Sequence, residues 1–211
     1  MRPERVTMTG RYVDVVPLVA ARHADSLWEA VKGKSNEELW RWMPYGPFPT
    51  RESFDVHMAK LEASEDPLVF AITDKATGQA VGNATLMRID EPNRVIEVGG
   101  IVFSPLLQRR RGATEAMYLM AKYVFEELGY RRYEWKCNAL NAPSRAAALR
   151  LGFTYEGLFR QHMIVKGQNR DTTWFSMLDS EWPARKAVFE RWLDLANFDA
   201  AGRQIRPLER N

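Results

Sequence analysis

Disulfide cross-links have no place in this chain, because its 211 residues include a single cysteine, Cys137. The same scarcity excludes a Cys-rich metal site, so no metal is expected, and it suits a reducing compartment. No apolar run approaches the ~20 residues that cross a bilayer. Met1 to Gly10 is polar and lacks the apolar segment of a secretion signal. The expectation is a soluble, cytoplasmic protein with no membrane partner. Charge of one sign is not in large excess either, since 30 Lys and Arg against 27 Asp and Glu give a formal +3. Spread along the chain, that balance argues against a dedicated nucleic-acid binder and favours acidic ligands only weakly. Repeats and low-complexity segments are missing as well. The length fits one buried core with terminal additions better than two domains.

What is present is a regular alternation of elements. Tyr12 to Leu18 reads as a strand, and Ala20 to Val31 has the apolar spacing of a helix. Ser35 is expected to cap a short helix through Trp40 and Trp42, which the three prolines between Pro44 and Pro49 terminate. Thr50 opens a helix carrying Phe54, Met58 and Leu61. Leu68 to Thr73 and Ala80 to Ile89 form a hairpin, and Val95 to Phe103 is a third strand, apolar apart from Glu97 and Gly99-Gly100. Thr114 to Leu128 is a helix stopped by Gly129, and Arg131 to Cys137 a strand. An alanine-rich helix over Ser144 to Leu151 precedes strand segments in Phe153 to Lys166 and Thr172 to Leu178. Arg185 to Phe198 reads as an amphipathic helix, followed by a loose polar tail. This order implies an α+β or mixed-sheet domain.

Between the strand ending at Phe103 and the helix at Thr114 lies the basic turn Gln108-Arg109-Arg110-Arg111-Gly112-Ala113. A strand, a basic turn and a helix start can hold an oxyanion, through consecutive backbone N–H groups, the helix dipole and guanidinium hydrogen bonds. Solvated surface is the plainer alternative for the turn alone.

The turn is one of three matches by which the chain resembles the GNAT superfamily of acyl-coenzyme A dependent N-acyltransferases. The family's pyrophosphate loop reads Gln or Arg, two residues, Gly, one residue, then Gly or Ala. One register opens at Gln108 and places Arg111 at the Gly position and Ala113 last; the other opens at Arg109 and matches Gly112, with Thr114 last. In the first register the Arg111 side chain has to swing outward, toward the ligand's phosphates. The second match is Asn141 and Ser144 before Ala146-Ala147-Ala148 and Leu151-Gly152-Phe153, which is similar to the segment lining the pantetheine arm. The third is Tyr155-Glu156-Gly157 with Arg160, Gly167 and Asp171, which resembles the last sheet segments of the ribosomal-protein N-terminal acetyltransferase branch. The resemblance implies a mixed, mostly antiparallel sheet of about seven strands flanked by helices, with two splayed parallel central strands. It implies a single domain over residues 1–183, with 184–211 as a C-terminal helix and polar tail.

The resemblance also implies acetyl-coenzyme A as cofactor and a primary amine as acceptor, on a small molecule or a peptide N-terminus. Cofactor contacts fall on Ile101 and Phe103 of the splayed strand, on Gln108, Arg109, Arg110, Arg111, Gly112, Ala113 and Thr114, and on Asn141 and Ser144. Ser144 is the candidate acid for the leaving sulfur, although its place also suits a plain helix cap. Glu97, a carboxylate on an apolar strand, and His162, which titrates near neutrality, are the candidate bases. Gly99-Gly100 fits either a close approach of another chain or a bulge. Tyr45 and Phe48 beside prolines are expected to face an acceptor cavity, with Trp40 in the core. Asp171 either binds a cationic substrate group or caps a turn, and Cys137 reads as a small buried residue. The helix with Val188, Phe189, Trp192 and Leu195 either mediates a homodimer or packs on its own domain. A non-catalytic acyl-coenzyme A sensor is the competing function.

Overall fold

Helix α1, Ala20–Val31, turns His23, Ala24, Leu27 and Val31 inward at helical spacing. The computed structural model to which it belongs describes residues 1–209. A 3-10 segment, Lys34–Trp40, is entered through Gly33 and not capped by Ser35, because the chain turns there at a φ of 87° that glycine adopts readily. Helix α2, Arg51–Ala63, opens on a reciprocal cap. Thr50 Oγ1 accepts the Ser53 N–H at 3.2 Å, and Ser53 Oγ accepts the Thr50 N–H at 3.3 Å.

Eight strands make one sheet: β1 Met8–Thr9, β2 Val13–Pro17, β3 Leu68–Asp74, β4 Ala80–Asp90, β5 Val95–Phe103, β6 Arg132–Asn138, β7 Thr154–Val165 and β8 Gln168–Leu178. They lie in the order β1-β2-β3-β4-β5-β6-β8-β7. The strand beyond the expected seven or so is β1, whose two residues are too short to show alternation. Neighbours are antiparallel except β5 and β6, whose parallel pairing requires a crossover. Helix α3, Arg111–Lys122, supplies it and continues as a π turn, Tyr123–Glu127, to Gly129. It begins three residues ahead of the expected Thr114. The arginines hide an apolar period in which Gly112 is buried, where a Cβ would lie 2.6 Å from Val13 Cγ1.

Helix α4, Ala142–Arg150, and helix α5, Trp182–Leu193, cover the same sheet face as α3, over Ile96, Val98, Tyr133, Trp135 and Phe175. Helices α1 and α2 cover the other face, over Val69, Ala71 and Val102. The sheet is thus the middle of three layers. The C-terminal helix packs on its own domain. Trp182 stacks 5.3 Å from Phe125, and Phe189 lies 5.7 Å from Tyr118. The tail expected to be loose is anchored instead, with Leu208 buried and the Glu209 carbonyl accepting from Arg185 at 2.6 and 2.8 Å.

Candidate active site

The parallel pairing of β5 with β6 runs from Val95–Arg132 to Val98–Trp135 and stops there. Beyond it, Gly99 to Phe103 have no partner on β6, and the strands separate into a gap. The separation begins at a bulge. Thr85 pairs with Gly99 and Asn83 with Val102, so β5 takes three steps against two on β4. Gly100 absorbs the extra residue at a φ of 54°. Asn83 Nδ2 donates to the Gly100 carbonyl and Thr85 Oγ1 to the Gly99 carbonyl, at 2.9 and 3.0 Å. Of the two readings of Gly99-Gly100 the bulge is seen, and a Cβ on either residue would run into Met87 or Thr85 of β4. Half-buried Ile101 and Phe103 lie on the gap side of the bulge.

At the end of the gap the chain turns through Pro105 to Arg110 into α3, whose start has no side-chain cap. The Ala113 N–H already donates to the Arg110 carbonyl at 3.2 Å, and the N–H groups of Arg111 and Gly112 are the first-turn donors suited to an anion. Gln108 Nε2 braces the turn on the Phe103 carbonyl at 2.8 Å, Arg109 takes a φ of 59°, and Arg109 and Arg110 are exposed. Arg111 does swing outward, although toward protein rings: its guanidinium lies 4.3 Å from the Tyr12 ring centre and 4.8 Å from that of Phe198. Ala113 is half-buried, while Thr114 is buried and its Oγ1 accepts from Arg150 at 3.0 Å.

Across the gap, Asn141 and not Ser144 caps α4, its Oδ1 accepting the Ser144 N–H at 3.1 Å. Pro143 in the first turn favours Asn141 as the capping position. Ser144 is freed for another contact, and Trp135 Nε1 donates to its Oγ at 3.0 Å. With that lone pair filled, the hydroxyl hydrogen points away from the indole.

The α1–α2 face of the gap holds a polar cluster that is almost entirely non-local in sequence. Glu97 is 5% exposed, and its Oε2 lies 3.0 Å from Lys136 Nζ and 3.1 Å from Arg88 Nε, as ionic contacts outside hydrogen-bonding angles. Lys136 Nζ also reaches Glu134 Oε2 at 2.6 Å and sits 3.8 Å over the Trp174 ring. Burial pushes the Glu97 carboxyl upward, and Lys136 and Arg88 oppose that shift. His162 lies in a second bulge, where Phe159 pairs with Thr172 but Met163 with Arg170. Its Nδ1 is 3.0 Å from Thr172 Oγ1, which also accepts from Arg170 Nε at 3.2 Å. Desolvation, then Arg88, Arg170 and Lys136, hold the His162 pKa below its ordinary value.

Sequence reasoning missed Arg88, Lys136, Arg170, Thr172 and Trp174. The alternation of Glu134 and Lys136 with Tyr133 and Trp135 was their one local signal. Asp171 Oδ1 accepts the Gln161 N–H and the Asn169 amide at 2.7 and 2.9 Å, so it holds the bulge that carries His162. Cys137 is buried, 3.1 Å from Thr173 Oγ1. Thr173 donates its hydroxyl to the Cys137 carbonyl, which leaves the thiol as donor in that contact.

Tyr45 and Phe48 join Trp40 in one aromatic cluster, with Phe48 5.2 Å from Trp40 and Tyr45 4.2 Å from His57. Trp40 is buried, as expected. Phe48, Trp28, Trp40, Pro47 and Pro49 line a cavity of about 380 Å³, which Glu97, Ser144 and His162 do not touch. The cluster is tied to the β7–β8 hairpin by Lys166, whose Nζ donates to the Trp40 carbonyl at 2.8 Å. Among the described residues, no His, Cys, Asp and Glu group is arranged to hold a metal, and no helix is long and apolar enough to cross a membrane.

A splayed parallel pair, a basic turn feeding an uncapped helix and a hydroxyl held across the gap define the class: an N-acetyltransferase of the GNAT type. Residues 15–154 match the family model described as Acetyltransferase (GNAT) domain, and the chain belongs to that family, which uses acetyl-coenzyme A. It is similar to a GCN5-related N-acetyltransferase from Brucella melitensis, at 51% identity and a TM-score of 0.97 over 99% of this chain and 94% of that one. It is 31% identical over 109 residues to YdaF of Bacillus subtilis, a provisionally named ribosomal N-acetyltransferase, covering 52% of this chain. The chain spans only 59% of YdaF and 63% of p20, an N-acetyltransferase of Bacillus licheniformis. The microcin C7 self-immunity acetyltransferase MccE, solved with acetyl-coenzyme A and AMP, shares the fold at 20% identity and a TM-score of 0.69, over 80% of this chain and 93% of that one.

Proposed function

We propose that this chain acetylates a primary amine, on a small molecule or a peptide N-terminus, by direct attack in a ternary complex with acetyl-coenzyme A in the cytoplasm. The gap that opens after Val98–Trp135 carries this reading, because it leaves strand groups unpaired beside a positioned hydroxyl on one face and a titratable cluster on the other. The residues present fit the cofactor. Ile101 and Phe103 offer backbone groups to its arm, and Asn141 fixes α4 beside it. Gln108, Arg109, Arg110 and the first-turn N–H groups of Arg111 and Gly112 offer donors to its pyrophosphate, with Ala113 closing the turn on the Arg110 carbonyl. Buried Gly112 serves packing against Val13, which supports the register opening at Gln108. Thr114 braces α3 on α4 through Arg150.

When bound, acetyl-coenzyme A supplies an acyl group activated as a thioester. Ser144 holds a proton on Oγ, directed away from Trp135, that suits it to protonate a departing thiolate. An amine must be neutral to attack, and His162 is the better base of the two candidates. Its lowered pKa keeps it neutral near pH 7. If Nδ1–H donates to Thr172, Nε2 keeps a free lone pair. Glu97, held by two cations, fixes Arg88 and Lys136 instead. Tyr45 and Phe48 back the acceptor side through the cluster that Lys166 closes, and Asp171 positions the His162 bulge.

The test is thiol release from acetyl-coenzyme A across a panel of amines and peptides. Release with at least one acceptor is expected, with Ser144→Ala lowering kcat by about 10²-fold or more while cofactor affinity stays nearly constant. Cofactor binding without thiol release from any acceptor would favour a sensing module, and unchanged kcat would remove Ser144 as the acid.

A further inference from the structure

Charge around the gap does not balance. On the α1–α2 side, Glu97, Glu134 and Glu156 are paired among Arg88, Lys136 and Arg132 in a continuous chain of ionic contacts. One further cation, Arg170, stands at the same place and has no carboxylate within ion-pair distance among the described residues. Its neighbours in the field are Cys137, Glu97 and Arg88, and its guanidinium is half-buried. Half-buried guanidinium groups retain their charge, so a site that leaves one without an acid partner is suited to an anion from outside.

The geometry is specific. Arg170 uses Nε to donate to Thr172 Oγ1 at 3.2 Å, and its two Nη groups, the ends of the fork that bind an oxyanion bidentately, make no hydrogen bond among the described residues. The same Thr172 oxygen lies 3.0 Å from His162 Nδ1. One hydroxyl therefore fixes both the guanidinium and the imidazole, and holds them side by side at the end of β8 next to the gap. Arg88, 47% exposed and paired with Glu97, adds positive potential that both His162 and Arg170 feel.

We propose that the acceptor is an amine bearing an oxyanion, carboxylate or phosphate, a few bonds from its nitrogen, with the oxyanion held by the Nη fork of Arg170 and the amine directed at His162. This rests on the acetyltransferase reading above and deepens it by naming the acceptor class. Arg170 is the specificity-determining residue. Thr172 is a positioning residue, since it acts through the two groups it anchors.

The experiment compares β-alanine, 2-aminoethyl phosphate and propylamine, which carries no oxyanion, as acceptors, with wild type, Arg170→Gln and Arg170→Lys. Wild type is expected to favour an anionic acceptor over propylamine by about tenfold or more in kcat/KM, the scale of a hydrogen bond to a charged group. Whether β-alanine or 2-aminoethyl phosphate is preferred distinguishes a carboxylate from a phosphate ligand. Arg170→Gln should bring the ratio near unity, and Arg170→Lys, which keeps the charge but loses the fork, should retain part of it. Binding of the same amines, read calorimetrically without turnover, should fall in parallel, while the thermal shift produced by acetyl-coenzyme A stays unchanged in both variants. Equal use of propylamine by wild type, or a preference that survives Arg170→Gln, overturns the proposal. So does loss of acetyl-coenzyme A binding in Arg170→Gln, which would place Arg170 on the cofactor. If no amine releases thiol, the acetyltransferase reading fails, and the calorimetric comparison alone still decides whether Arg170 binds the anion.

Discussion

His57 shows how a single half-buried side chain ties stability to pH in this molecule. Packed 4.2 Å from Tyr45 and 4.8 Å from Phe48, its imidazole is desolvated and lies near Lys60, and its pKa is lowered to about 4. The unfolded chain takes up the proton near the ordinary value of 6.5, so between about pH 6.5 and 4 the unfolded state binds more protons than the folded one. Stability from this group is complete above pH 6.5 and falls as the pH drops toward 4, below which its contribution levels off. Melting temperatures across that window should decline in wild type and decline less steeply in His57→Leu; equal slopes would mean that the aromatic cluster does not desolvate His57. Gly112 is a residue to which the structure gives a reason the sequence did not display. It reads as a phosphate-loop glycine in one register, and the approach of α3 to Val13 also demands glycine there. Ser144 presents the opposite case, since its position pointed to both a cap and an acid, and Asn141 takes the cap.

Strands β5 and β6 bring Glu97 directly opposite Glu134 in their parallel register, a like-charge pair that would oppose the pairing that sets the gap. Lys136 resolves it by reaching both carboxylates, and Trp174 covers its ammonium from β8. Three strands are thus held around one buried cation. Removing one partner from such a set leaves uncompensated charge, at a cost of about 3–5 kcal/mol. Lys136→Met should lower stability by that amount in denaturant titration, and adding Glu97→Gln should recover part of it. A loss below about 1 kcal/mol would show that the network is solvated and the argument is mistaken. This cluster also marks the limit of sequence reading. Helix α1 and strand β5 were legible to the residue because apolar period alone sets their ends. The charges of Lys136, Arg170 and Arg88 become chemistry only when three separate strands align, and no local pattern contains that adjacency. The two-residue β1 and the arginine-masked start of α3 were hidden for a simpler reason, too little periodic signal.

At the scale of the whole molecule, the C-terminal segment connects the fold to the proposed pyrophosphate turn. Leu208 is buried, Asn197 bonds the Trp192 and Arg206 carbonyls, and the Glu209 carbonyl accepts twice from Arg185. Arg185 in turn packs against Gly152, whose φ of 91° and lack of a Cβ make room for it, so the Leu151-Gly152-Phe153 turn after α4 depends on the tail as well. Phe198 completes the ring pair around Arg111 at the first turn of α3. Deleting everything after Leu193 removes the burial of Leu208, about 1.5–3 kcal/mol, and charged hydrogen bonds of Arg185, about 1.5–3 kcal/mol. At roughly 2–4 °C per kcal/mol for a domain of this size, the melting temperature should fall by about 6–24 °C. Acetyl-coenzyme A at 100 times its dissociation constant should return ~2.7 kcal/mol to wild type. The truncated protein, with Arg111 released from Phe198, should need a higher ligand concentration for the same shift. An unchanged ligand requirement would separate the tail from the cofactor turn, and an unchanged melting temperature would separate it from the fold.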